Sequence, residues 1–193
     1  TTTNFANTTA LAIPTGPGVV TSTIVVSGAS TYLLDLNAIT QIEHTFNADL
    51  DITLTSPSGT VVTLSTDNAA GNDNVFNGTL WDDSANPAGQ VPYTTNNGLV
   101  TDNAYVNLTT ATPLVPEEAM GAFIGENPNG TWTLTISDDL AGDGGNLTDG
   151  LPDAIGTGCH LLCSGRRLLD RRRDAGHGLA HVAVPRPALL HRG

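Results

Sequence analysis

Between residues 19 and 137 the apolar side chains return at every second position, and no long stretch carries the three-and-four spacing of an amphipathic helix. Successive side chains of an extended chain point to opposite faces, so segments of this kind bury one face each as β-strands. Residues 19–26 are β-branched almost throughout, with Thr21, Thr23 and Val25 alternating against Ser22, Ile24 and Val26. Tyr32, Leu34, Leu36 and Ala38 form a second alternating set, and Ile42, His44 and Phe46 a third. Leu50, Ile52 and Leu54 share one face of a further segment. It leads through Ser56-Pro57-Ser58-Gly59, a tight turn, into residues 60–65, which makes a hairpin. Residues 76–81 read as a short strand, 104–108 as another, and 119–124 as a short helix or strand. The clearest strand is 131–137, where Trp132, Leu134 and Ile136 face one way. Many short strands joined by loops rich in Pro, Asn and Gly predict an all-β chain, a jelly-roll-like antiparallel β-sandwich. Residues 1–18, Thr- and Asn-rich and closing on Pro14, Gly16, Pro17 and Gly18, read as a linker or disordered lead-in.

Charge divides the chain in two. Residues 1–150 hold 16 acidic side chains and neither lysine nor arginine, whereas residues 151–193 hold 7 arginines and 3 aspartates, for a net charge of −12 over 193 residues. The first part has no cation to neutralise phosphate, which argues against nucleic acid and against anionic membrane surfaces. No run of apolar residues is long enough for a membrane span, and Thr1 does not open a signal peptide. The Thr, Asn, Asp and Gly richness with no lysine suits an extracellular or cell-surface bacterial protein. Cys159, Cys163, His160 and His177 in the tail match no ordinary zinc-finger spacing.

Three ordered blocks carry a family resemblance. His44-Thr45-Phe46-Asn47-Ala48-Asp49-Leu50-Asp51-Ile52-Thr53-Leu54-Thr55-Ser56-Pro57-Ser58-Gly59 resembles the hairpin of the P domain, or Homo B domain. That domain follows the catalytic domain in kexin- and furin-type subtilisin-like serine proteases, and occurs in bacterial secreted proteases and large surface proteins. The second block, from Phe123-Ile124-Gly125 through Asn127-Pro128-Asn129-Gly130-Thr131-Trp132 to Asp138-Asp139, is similar to the family's G-x-x-P-N-G-T-W block. The third, Gly142-Asp143-Gly144-Gly145-Asn146-Leu147, resembles the polar turn before its last strand. The resemblance spans residues 21–149. It implies a jelly-roll sandwich with an accessory role: folding, stability, or pH and calcium tuning of a protease catalytic domain in cis. Family members close on a strand near Trp-Ser-Leu-x-Ile, whereas Asp149 is followed by Gly150-Leu151-Pro152 and a switch to Arg, Leu, His and Pro. Residues 150–193 are therefore expected to be an atypical Arg-rich tail, either divergent and disordered or read in a shifted frame, with the sandwich lacking its last strand.

Two kinds of chemistry remain. Serine-protease catalysis needs a nucleophile, a histidine base and an orienting acid in one place. His44 is the only histidine before His160 and no nucleophile-elbow motif occurs, so this part of the chain is expected to be non-catalytic. Oxygen-rich acidic loops suit Ca²⁺, which takes six to eight oxygen ligands. The candidate ligands are Asp49, Asp51, Asp82, Asp83, Asp138, Asp139 and Asp143, with Asp67 and Asp73 as further carboxylates in a polar loop. Asp49 and Asp51, two apart, share a face if the strand has begun there. Unpaired carboxylates that close raise each other's pKa, and a divalent cation relieves the repulsion where no lysine or arginine can. The functional expectation is an accessory module of a secreted serine endopeptidase. The alternative is an adhesion or binding module of a large bacterial surface protein.

Overall fold

A computed structural model describes residues 2–85 and 98–147 in full and the backbone of residues 159–165. Ten strands follow in order: β1 (Thr2–Asn7), β2 (Leu11–Ile13), β3 (Gly18–Val26), β4 (Leu33–His44), β5 (Leu50–Thr55), β6 (Val61–Ser65), β7 (Asn77–Trp81), β8 (Gly130–Asp138), β9 (Gly145–Leu147) and β10 (Cys159–Gly165). The only helical pieces among the described residues are two single 3₁₀ turns, Asn47–Asp49 and Met120–Phe123. One sheet runs β1-β10-β4-β9-β2, with β7 on the other side of β4; the second runs β3-β8-β5-β6, and every strand pairing is antiparallel. The two sheets pack as the expected β-sandwich.

The alternation in the sequence sets the core. Ile24 and Val26 of β3, Leu50, Ile52 and Leu54 of β5, Val62 and Leu64 of β6, and Trp132, Leu134 and Ile136 of β8 are all buried. They form one cluster with Leu33, Leu36, Ala38, Ile42, Trp81 and Leu147 of the opposite sheet. Both tryptophans are fully packed with their N–H groups satisfied: Trp132 Nε1 donates to Pro128 O (2.8 Å) and Trp81 Nε1 to Thr40 Oγ1 (2.9 Å). The Trp132 indole meets the Phe123 ring edge-on at 5.0 Å. The β5–β6 turn forms as expected, with Gly59 at φ 88°, where a side chain would be strained.

Four sequence expectations are corrected. The alternating set at the start of β4 is out of step, because Leu33 rather than Leu34 points inward and Tyr32 is half exposed. A register shift where β4 meets Ser164 and Gly165 of β10 is the cause, since a bulge flips the faces. Residues 104–108 form a loop rather than a strand. The lead-in is not a free linker, because β1 and β2 lie within residues 1–18 and pair with β10 and β9. The place expected to lack a strand is filled by β10, which pairs with β4 on one side and β1 on the other. The rest of the Arg-rich tail, and with it the shifted-frame expectation, lies outside the described residues.

Trp132 supplies the largest single side chain of the central strand β8. Trp132→Ala is expected to lower unfolding free energy by about 3–5 kcal/mol, read by denaturant melting. A loss below about 1 kcal/mol would mean that the indole is not core.

Candidate functional site

The charged groups that the sequence singles out gather mainly at the end of the sandwich where β4 finishes and β8 finishes. His44 is the last residue of β4 and Asp138 the last of β8, so their side chains meet across the two sheets. Both are fully buried, and His44 Nε2 lies 3.2 Å from Asp138 Oδ2. His44 Nδ1 sits beside the Phe46 backbone, 2.9 Å from its oxygen and 3.2 Å from its nitrogen, so either tautomer finds a partner there. Asn47 locks the turn that follows, its Nδ2 donating to His44 O (3.1 Å) and Asn72 O (2.7 Å). The second carboxylate oxygen of Asp138 is buried without a hydrogen-bond partner among the described residues. A Cβ on Gly16 would fall 2.7 Å from that oxygen and 1.7 Å from Leu140 O, so only glycine lets β3's lead-in close over it.

Around this pair lie three more candidate carboxylates, Asp49, Asp139 and Asp143. Asp49 sits in the 3₁₀ turn, one residue before β5 begins, and is almost wholly buried. Burial raises its pKa above the usual range, and the charges of Asp138, Asp143 and Asp139 push the same way against an opposing pull from His44. Asp139 donates its backbone N–H to Asp49 O (3.0 Å), and Asp143 Oδ1 accepts from the Thr45 hydroxyl (3.0 Å). Asp51, inside β5, is only half buried. Its pKa is raised by burial and then by Asp67, Asp139 and Glu117. Asp49 and Asp51 therefore do not form the expected same-face pair, because the strand starts between them.

Asp82 and Asp83 are committed elsewhere. Asp83 accepts the N–H groups of Met120 (2.9 Å) and Gly121 (2.7 Å), one on each oxygen, and so anchors the second 3₁₀ turn. Asp82 accepts from Ser84 N (2.7 Å) and from Asn37 Nδ2 (3.3 Å). Among the described residues, no three His, Cys, Asp or Glu side chains converge closely enough to hold a metal ion. The donor set has the right chemistry for Ca²⁺ but is not gathered into a cage.

His44 has no nucleophile to activate, since its two ring nitrogens face Asp138 and the Phe46 backbone. What sequence reasoning missed is the role of Asp138 as the partner of His44. The two are 94 positions apart, and only the sandwich brings them together.

Two outcomes follow from this geometry. Below the ordinary aspartate pKa of about 3.9, Asp49 is neutral in both the folded and the unfolded chain; as pH rises past its raised folded value, the ionised form penalises the fold. Asp49→Asn, measured with chelator present, is therefore expected to raise the melting temperature at pH 7 and to lose that advantage as pH falls below about 4. Destabilisation at every pH would show instead that the carboxylate makes a needed contact. Asp83→Ala strands two backbone donors and is expected to cost about 1–3 kcal/mol in chemical denaturation; no cost would remove the anchoring role.

Comparison with known proteins identifies the family. The sequence model of the family described as "Proprotein convertase P-domain" matches residues 33–149. No curated protein sequence matches significantly. Among solved structures the chain is similar to the serine protease of Aeromonas sobria, at 16% identity and a TM-score of 0.44, over 84% of this chain and 26% of that one. It is similar at 17% identity and a TM-score of 0.43 to the same protease in its complex with a chaperone, with the same coverage. The chain thus spans about a quarter of the length of these relatives. The family match takes in His44, Asp49, Asp138 and both buried tryptophans, covers more than half of the sequence, and shows that this chain belongs to the proprotein convertase P-domain family, a non-catalytic domain of subtilisin-like proteases.

Proposed function

We propose that this chain is the accessory P domain of a secreted, extracellular subtilisin-like serine endopeptidase, joined in cis to the catalytic domain that it stabilises or regulates. The family match over residues 33–149 carries this reading. It is supported by the burial of His44, which leaves the described residues without a nucleophile–histidine pair. Among the described residues no helix is long and apolar enough to cross a membrane. The test is to express the parent gene product with and without the segment matched by the family. Proteolytic activity is expected from the remainder alone or with this domain, never from this chain by itself, and deletion is expected to shorten the half-life of activity on warming. A gene in which β-sandwich repeats rather than a protease flank the domain would overturn the reading in favour of an adhesion module.

Calcium belongs to the same proposal. Its support is the repulsion that Asp138, Asp143 and Asp139 exert on the buried Asp49, in a stretch without lysine or arginine. Ca²⁺ is expected to raise the melting temperature relative to chelator, and by less in Asp49→Asn. An unchanged melting temperature would remove calcium from the account.

A further inference from the structure

The two edges of the β3-β8-β5-β6 sheet are finished differently. At the β6 edge, Glu118 N donates to Thr63 O (3.0 Å), Glu117 N to Leu64 O (3.2 Å), and Thr63 N to the Glu118 carboxylate (2.7 Å). At the β3 edge no described strand pairs with the outer side. Asp139 donates its N–H to Asp49 on the β5 side, so the odd-numbered residues of β8 bond β5 and the even-numbered ones bond β3. The register with β8 runs without a shift from Gly18 opposite Asp138 to Val26 opposite Gly130. Gly18, Val20, Ser22, Ile24 and Val26 therefore serve β8, and the backbone groups of Val19, Thr21, Thr23 and Val25 point out of the sheet edge. Asn7 Nδ2 meets this row at one place, donating to Thr23 O (3.1 Å) at an exposed position.

This edge carries none of the devices that keep edges apart. No lysine, carboxylate or proline lies between Gly18 and Val26, and no bulge interrupts the strand. Val19 and Val25 are 64% and 69% exposed. Residues 1–34 hold no charged side chain, and β8, the strand behind, turns Thr131, Thr133, Thr135 and Ser137 to the same outer face. In a chain of net charge −12, an uncharged edge is where two copies approach at least electrostatic cost.

The edge is also nearly its own mirror. Val19-Val20-Thr21-Ser22-Thr23-Ile24-Val25 reads almost alike in both directions about Ser22. An antiparallel copy centred on Ser22 sets Thr21 opposite Thr23 and Val19 opposite Val25, each pair exchanging its outward N–H and C=O groups. The Thr23 carbonyl has a second lone pair beside the Asn7 amide. Val20 comes opposite Ile24, and the inward side chains of both copies stay on one side of the joined sheet. We propose that the β3 edge is a self-association surface, on which two copies of this chain pair antiparallel about Ser22. The contact is two-fold, so each copy uses up the edge of the other and the assembly closes as a dimer. The proposal rests on this edge alone and does not depend on which domain adjoins the chain.

The test is sedimentation velocity of the 193-residue chain from micromolar to millimolar concentration in physiological salt. The chain is expected to shift from monomer to dimer and to stop there. Thr21→Glu and Thr21→Arg each set like charges diagonally across the paired strands, about 7–8 Å apart, and each is expected to weaken dimerisation about tenfold or more. An equimolar mixture of these two variants is expected to recover the dimer, which a folding defect would not do. Thr21→Pro deletes one outward N–H and no bond to β8, and is expected to weaken the dimer as well. Val61→Glu, at an exposed position on the opposite edge strand β6, is expected to leave dimerisation unchanged. Melting curves confirm that each variant is folded. A chain that stays monomeric throughout would overturn the proposal. So would growth beyond the dimer, equal weakening by Val61→Glu, or a mixture that fails to recover.

Discussion

The fold turns on one buried contact between its two sheets, His44 on β4 against Asp138 on β8. Removing a histidine and a carboxylate from water is costly, and their attraction offsets the cost only where the remaining polar atoms are also met. Here they largely are. The Phe46 backbone receives the second ring nitrogen, Asn47 fastens the turn to His44 and Asn72, and Asp139 fastens it to β8. The exceptions are one oxygen of Asp138 and the side-chain oxygen of Asn47, both buried with no hydrogen-bond partner among the described residues. The consequence is that the only histidine of the first 150 residues serves packing and register, and is not free to act as a general base.

The same economy explains the fate of the other acidic residues. A domain with no lysine or arginine in its first 150 residues cannot pair its carboxylates with side-chain cations, so it pairs them with backbone N–H groups and hydroxyls. Asp83 holds a 3₁₀ turn, Asp82 a bend after β7, and Asp143 the Thr45 hydroxyl. Asp49 and Asp51 are the two whose pKa is raised by burial and by neighbouring like charges, and Asp49 is the more deeply buried. An acidic stretch built in this way presents charge of one sign to whatever it meets.

Much of this fold is legible in the sequence, because period-two alternation is strong where one face of a strand is buried. β3, β5, β6 and β8 and the Ser56–Gly59 turn follow directly from Ile24, Leu54, Leu64 and Trp132. The alternation fails where sterics are local: at Leu33, where a bulge reverses the faces, and in β1 and β2, whose Thr- and Asn-rich residues look like linker until β10 and β9 supply partners. The site was legible only in part. The carboxylates were visible as a set, but which of them faces His44 depends on a pairing 94 residues long in sequence, and Asp49 and Asp51 separate because a single 3₁₀ turn ends between them.

The central claim is that His44 and Asp138 are structural partners in a non-catalytic domain. A double-mutant cycle on unfolding free energy, with His44→Gln, Asp138→Asn and the pair of substitutions together, measures this most directly. Each single change is predicted to cost about 3–5 kcal/mol by leaving its partner buried and unmatched, and the double change to cost no more than the worse single one. Costs that simply add would contradict the account, because they would mean that the two side chains hold the sandwich independently of each other.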